Sequence, residues 1–448
     1  MTNQRVFVTG LGAVSAFGVG AGVLWEACKL GEARIEPIPL AWDHYYRPVS
    51  RVWSPLPQLD FRALGFSKSD LLTTSMPSLI GICASQEALT DAQLFPRSPD
   101  RPKLPAKRTG IFLGTGLGGA RAPFDNYRAH LLGGLAPQLK ALLAQHPSDE
   151  LLREHLSALE RHPRVSPLVI PQSMPNAAAA SISIRFGIQG PVETMCHACA
   201  AGTMAIGRAF KAIQRGDLDV AIAGGVEHLS DGAGGVFMGF DRLQTLARPR
   251  GSEIGSENRP FDVERTGFLF SEGGAAIVVL ESESFARQRT TRPLAELRGF
   301  ATSSDAQSML AISEENNAID EMLEEVLLDA NLSSKDIGYI NAHGTSTELN
   351  DRIESRIIEK HFAHGPAVNS TKSILGHTIG ASGALEAIVT TKSLMEQRVH
   401  RSRNLERPIA PLNFCLETME VNFEFALSQS FGFGGHNAAL IFARVDPP

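Results

Sequence analysis

The residues best suited to do chemistry cluster around Cys196-His197-Ala198-Cys199. Cys199 closes an extended apolar run and opens a helical pattern over 200–215, which stops at Gly216. A thiol at a helix start meets unpaired N–H groups and the positive dipole end, which stabilise a thiolate and lower its pKa, so Cys199 is a candidate nucleophile. Cys196 is expected to face the sheet interior, where small apolar cysteines sit. The C-x-x-C spacing could suit zinc, but zinc takes four ligands and no second cysteine pair follows, so no metal is expected. Two histidines offer partners for the thiol. His343 ends one strand pattern and leads into Gly344-Thr345-Ser346-Thr347, and His377 follows another in Thr371-Lys372-Ser373-Ile374-Leu375-Gly376-His377. Open α/β sheets place their sites at such strand ends. In Ser430-Phe431-Gly432-Phe433-Gly434-Gly435, backbone N–H groups could serve an oxyanion hole.

An α/β chain must position these groups. Short apolar runs at 5–10, 110–114, 192–198, 220–225 and 275–281 alternate with helical patterns, and runs at 294–300, 337–343, 367–370, 423–428 and 438–443 repeat the rhythm. That predicts two duplicated halves with largely parallel strands, 1–290 carrying the cysteine and 291–448 carrying the histidines. A stretch over 134–165, punctuated by Pro137, Pro147 and Pro163, reads as an inserted hairpin of two short helices. Gly10-Leu11-Gly12 and Gly114-Thr115-Gly116-Leu117-Gly118-Gly119 imitate a dinucleotide loop. No acidic strand end follows about twenty residues on, so both read as tight turns after buried strands.

Composition narrows the classes further. With 448 residues the chain can bury a large core unaided. A net charge of -6 argues against general nucleic-acid affinity, and no apolar run is long enough to span a bilayer. Five scattered cysteines do not form a disulfide framework and suit a reducing, cytoplasmic setting.

These blocks, in this order, resemble the β-ketoacyl-acyl-carrier-protein synthases of the elongating I/II group. The motifs are Ala198-Cys199, Arg259-Pro260-Phe261-Asp262, Asn341-Ala342-His343-Gly344-Thr345-Ser346-Thr347, and Ser370-Thr371-Lys372-Ser373 with Gly376-His377. The resemblance implies a thiolase-like fold, two α/β halves in an αβαβα layering. It implies acyl transfer to Cys199, then decarboxylative condensation with malonyl carrier protein under hydrogen bonds from neutral His343 and His377. It also implies a Lys372–Glu354 pair ordering the histidines, an oxyanion hole at the N–H groups of Cys199 and Phe433, and Phe433 as a gate. Leu117, Met204, Leu168 and Val169 would line the acyl pocket. No cofactor is implied. The partners would be acyl- and malonyl-loaded carrier protein and a second copy of the chain, or a cysteine-less ketosynthase-like subunit.

Several positions depart from the family pattern. Thr266 stands for aspartate, Met204 for histidine, Gln429 for asparagine, and Leu168-Val169 for a bulky aromatic pair. The basic docking run is reduced to Lys68, with Arg248 and Arg250 as substitutes. These features, with the insertion, keep open a specialised type II polyketide or polyene ketosynthase subunit working beside a chain-length-factor-like partner. From other classes, a nicotinamide oxidoreductase would rest on the glycine loops, and a non-catalytic carrier-binding subunit would keep the fold without turnover.

Overall fold

A computed structural model describes residues 4–43, 46–95, 104–160, 165–249, 254–312, 314 and 317–445. Arg250 and Pro163 lie outside them. The strands along the sheet are β1 (Val6–Ser15), β2 (Thr109–Gly114), β3 (Val192–Met195), β4 (Val220–His228), β5 (Gly273–Ser282), β6 (Ala295–Ser304), β7 (Ile337–Asn341), β8 (Ala367–Asn369), β9 (Phe425–Gly432) and β10 (His436–Ala443), with the two-residue strand Gly18–Val19 folded back on the end of β1. The helices that matter below are α1 (Met76–Asp91), α2 (Arg121–Gln145), α3 (Glu150–Glu160), α4 (Ala201–Gln214), α5 (Ala318–Ala330), α6 (Glu348–His361) and α7 (Ser382–Glu396).

The sheet order β8-β7-β9-β10-β6-β1-β5-β4-β2-β3 contains a duplication. Read outward from the centre, each half runs first, fifth, fourth, second, third in its own chain order. The halves join through a short antiparallel contact, Val6–Val8 of β1 against Ala295–Leu297 of β6. Pairing is mixed rather than largely parallel. It is parallel in the outer pairs β3–β2–β4 and β8–β7–β9, and antiparallel from β4 through β9 across the centre. Each half sets its fifth strand antiparallel between its first and its fourth; β9 and β10 are joined by a short turn, whereas a long segment carrying the helix Gly235–Arg242 separates β4 from β5.

Five layers result. Helix α1 lies on the outer face of β1, β5 and β4, helices α4 and α7 pack on each other between the two half-sheets, and α5 covers β6 and β10 on the far side, flanked by α6. Both middle helices bury most of their length among the strands of both halves, which is why strands such as Val220–Ile222 are apolar on both faces.

Both glycine motifs turn out to serve packing. Strand β1 does not enter a turn at Gly10. It continues to Ser15, and a Cβ at Gly10 or Gly12 would sit 2.2 or 2.0 Å from a carbonyl oxygen of α1. The inserted hairpin is also longer than its prolines suggest, since α2 runs unbroken through Pro137. The carbonyl that would meet the proline ring belongs to Gly133, which has open space around it.

Candidate active site

Cys199 lies in a 3-10 turn (Ala198–Ala200) between β3 and α4, with Ala198 held at φ 46°. In the other half, His377 follows β8 and precedes α7, with Ile379 at φ 49°. Left-handed backbone at non-glycine residues is strained and persists only where the surrounding fold enforces it. Because α4 and α7 pack together, the two turns meet. Cys199 Sγ lies 3.0 Å from His377 Nε2. His343, at the end of β7, places its ring edge-on to that of His377 with centroids 5.6 Å apart. All three side chains are buried and face a cavity of about 240 Å³ lined also by Phe240, Phe268, Leu310 and Phe433.

Hydrogen bonds fix what each ring can do. Lys372 Nζ reaches His343 Nδ1 at 3.2 Å. An ammonium can only donate, so His343 Nδ1 accepts and its proton sits on Nε2. His377 Nδ1 meets Ser382 Oγ at 2.9 Å. A hydroxyl both donates and accepts, so His377 is free to hold either tautomer. Burial drives both imidazoles well below the ordinary histidine range, and the Lys372 charge pushes the same way, so both are neutral at physiological pH.

Lys372 is paired with Glu386 on α7, not with Glu354. Glu354 instead accepts the N–H groups of His343 and Gly344 at 2.7 Å each, and Gln429 Nε2 at 2.7 Å, so it shapes the loop that carries His343. The Cys199 thiol also differs from expectation. Burial pushes it up to about 12, offset only in part by the Lys372 charge and the Phe433 N–H. Helix-end stabilisation is outweighed because the sulfur is fully enclosed, so the resting group is a thiol. Cys196 is exposed rather than turned inward, since β3 is an edge strand.

The residues expected to line an acyl pocket are not in the Cys199 cavity. Leu117 is 43% exposed, Leu168 and Val169 are half-buried, and Met204, on α4, is buried in the central core. The Gly116 and Leu117 N–H groups are held by the Glu227 carboxylate, which leaves no nest for a dinucleotide phosphate. Of the residues expected to dock a carrier protein, Lys68, the remnant of the basic run, is exposed, and the substitute Arg248 is exposed with its backbone N–H donating to Thr266 Oγ1. Sequence reasoning missed Glu386 and Ser382, whose only signal was polarity on the inward face of a small-residue helix. It also missed Phe240 and Leu310, which carry no periodic signature.

Residues 3–285 match the β-ketoacyl synthase N-terminal domain and residues 294–406 the β-ketoacyl synthase C-terminal domain. The chain belongs to the β-ketoacyl synthase family. Among similar proteins is 3-oxoacyl-[acyl-carrier-protein] synthase 2 of Coxiella burnetii, 32% identical over 99% of this chain and 100% of that protein. Its Vibrio harveyi namesake is also 32% identical, again over 99% and 100%. A solved β-ketoacyl synthase from Burkholderia phymatum superposes with a TM-score of 0.83 at 28% identity, covering 99% and 100% of the two chains. A type II polyketide ketosynthase solved with its acyl-carrier protein shares the fold, with a TM-score of 0.82 at 24% identity over 99% and 100%. Among the described residues, no group of histidine, cysteine and carboxylate side chains is arranged to hold a metal ion, and no helix is long and apolar enough to cross a membrane.

Proposed function

We propose that this ketosynthase elongates acyl chains on a carrier protein by decarboxylative Claisen condensation, as in fatty-acid synthesis. One observation carries the reading: a buried thiol 3.0 Å from one neutral imidazole, beside a second whose tautomer a lysine holds. In the first half-reaction Cys199 sulfur attacks the acyl thioester carbon. Its proton passes to His377 Nε2 and on to the departing carrier thiolate, leaving an acyl-Cys199 thioester.

Malonyl carrier protein then enters. The bond to its carboxylate breaks, carbon dioxide leaves, and the electron pair becomes an enolate whose oxygen takes hydrogen bonds from the Nε2–H groups of His343 and His377. No proton is removed in that step, so neutral donors suffice. The enolate carbon attacks the acyl carbonyl, and the oxyanion is held by the N–H groups of Cys199 and Phe433. The Phe433 N–H already faces the sulfur, and the Gly432 backbone abuts the Cys199 nitrogen. Collapse expels the Cys199 thiolate, which recovers a proton. Phe433, half-buried at the cavity wall beside Phe240, serves as the gate.

The reading places the enzyme in the cytoplasm, with its five cysteines free, and as an assembly of two chains. The helical hairpin favours a second reading, a specialised polyketide or polyene subunit paired with a cysteine-less relative. Incubation with a panel of acyl- and malonyl-carrier thioesters, reading the mass added to Cys199 and the carbon dioxide released, tests both. Elongation of ordinary acyl chains by the chain alone supports the first. Acylation without condensation until a second subunit is added supports the other, and no acylation at all refutes both.

A further inference from the structure

The condensation proposed above makes opposite demands on one nitrogen. To take the Cys199 proton, His377 Nε2 must be bare, and to donate to the enolate oxygen it must carry a proton. His343 meets only the second demand. Lys372 Nζ, 3.2 Å away, can only donate, so it keeps His343 Nδ1 bare and the proton on Nε2. A lysine behind His377 would lock that ring in the donor form and remove the base.

Behind His377 stands a pair of buried hydroxyls instead. Ser382, the first residue of α7, places its Oγ 2.9 Å from His377 Nδ1. The same oxygen accepts the Thr378 N–H at 3.2 Å and lies 3.0 Å from Thr378 Oγ1. A serine hydroxyl has one proton and two lone pairs, and the Thr378 N–H takes one lone pair. Two arrangements fill the rest. In the first, Nδ1–H donates to Ser382 Oγ, the Ser382 proton points to Thr378 Oγ1, and Nε2 is bare. In the second, Thr378 donates to Ser382, Ser382 donates to Nδ1, and Nε2 carries the proton. Both keep Ser382 and Nδ1 paired, which a buried polar group requires.

The ring itself is held while its proton is not. The His377 N–H donates to Leu269 O at 2.8 Å, and the Phe268 ring packs edge-on with centroids 5.1 Å apart. The free enzyme favours the first arrangement, because Cys199 rests as a thiol 3.0 Å from Nε2. Acylation removes that S–H donor, and the enolate oxygen then calls for the second. The change takes one proton from Nδ1 and gives one to Nε2, exchanged with water that enters as one carrier replaces the other, and leaves the ring neutral.

We propose that Ser382, backed by Thr378, is a positioning residue that lets His377 exchange tautomers between the two half-reactions. The proposal rests on the condensing reading above and adds how one ring serves both steps. Ring spectra of 15N-histidine-labelled enzyme read the tautomer directly, with the His377 signals identified by their loss in His377→Gln. In the wild type we expect Nε2 bare in the free enzyme and protonated in acyl-Cys199 enzyme prepared without malonyl carrier. Thr378→Val leaves the Ser382 proton without an acceptor in the first arrangement only. The variant should therefore protonate Nε2 already when free and acylate roughly tenfold or more slowly. Its malonyl decarboxylation should stay within about twofold of wild type, and Thr378→Ser should restore acylation. One unchanging tautomer in the wild type, or equal loss of both steps in Thr378→Val, overturns the exchange and leaves the condensing reading standing. A wild type that neither acylates Cys199 nor releases carbon dioxide overturns both.

Discussion

Replacing Lys372 with methionine separates two roles that the site combines in one side chain. Lys372 and Glu386 are each only 2% exposed and form a direct ion pair. Removing one partner of such a buried pair costs about 3–5 kcal/mol, because the other charge is left unpaired. The same change removes the only donor to His343 Nδ1 among the described residues, so Nε2 no longer holds a fixed proton to aim at the enolate oxygen. Losing a preorganised donor to a developing oxyanion costs on the order of 10²–10³ in rate. The double variant Lys372→Met/Glu386→Gln distinguishes the effects. Without an unpaired carboxylate it should recover most of the stability, yet decarboxylation should stay depressed by the same factor. Acylation of Cys199, which relies on His377, should fall by less than about tenfold. Urea unfolding, carbon dioxide release and the mass of the acyl-enzyme measure the three quantities. Wild-type decarboxylation in the double variant, or equal loss of acylation and decarboxylation, would refute the reasoning.

Cys199→Ala should abolish acyl transfer and condensation with the fold intact by circular dichroism, and condensation surviving in that variant would remove Cys199 from the mechanism. His343→Ala should depress decarboxylation far more than acylation, whereas His377→Ala should reduce acylation as well, since that ring faces the sulfur; single-turnover assays with acyl and malonyl carrier separate the steps. The neutral histidines predict a pH response with a definite sign. His343, His377 and His400 all titrate below the ordinary value of 6.5, His400 down to about 4. The unfolded chain therefore binds protons that the folded chain refuses, and stability falls as pH drops through 6.5, by about 1.4 kcal/mol per unit for each group until its folded pKa is reached. Decarboxylation at saturating malonyl carrier should show no inflection near 6.5, and one found there in the wild type but absent from His343→Gln would contradict a neutral donor.

The order of elements and the three residues that meet at the cavity were legible because both depend on local patterns. Strands show as apolar runs, and Cys199, His343 and His377 each stand where such a run stops. What was not legible depends on which surfaces meet. Glu354 and Glu386 are both inward-facing carboxylates on helices of the same half, and only the packing of α7 against α4 decides that Lys372 takes Glu386. The thiol's raised pKa reflects complete enclosure, a property of the fold rather than of the helix end that sequence can locate. Cys196 is exposed at the end of β3, beyond which no strand lies among the described residues, and pattern alone does not reveal that edge. The lining residues Phe240 and Leu310 come from irregular approaches to the cavity, whose direction no periodicity encodes.

The duplication explains why the two halves contribute different chemistry at matching places. After the third strand of each half comes a connection with one left-handed non-glycine residue and then a central helix; the N-terminal one carries Cys199 and the C-terminal one His377. After the second strand comes a loop clamped by a buried carboxylate that burial pushes up to about 7 in both cases. Glu227 holds the Gly116 and Leu117 N–H groups, and Glu354 holds those of His343 and Gly344. Four loops thus converge where the two central helices begin. A symmetric pair would offer two thiols or two imidazoles, and either would lack half of the reaction. In the proposed mechanism the nucleophile and the donors are divided between the halves, so the geometry that joins them depends on the α4–α7 contact at the core of the molecule.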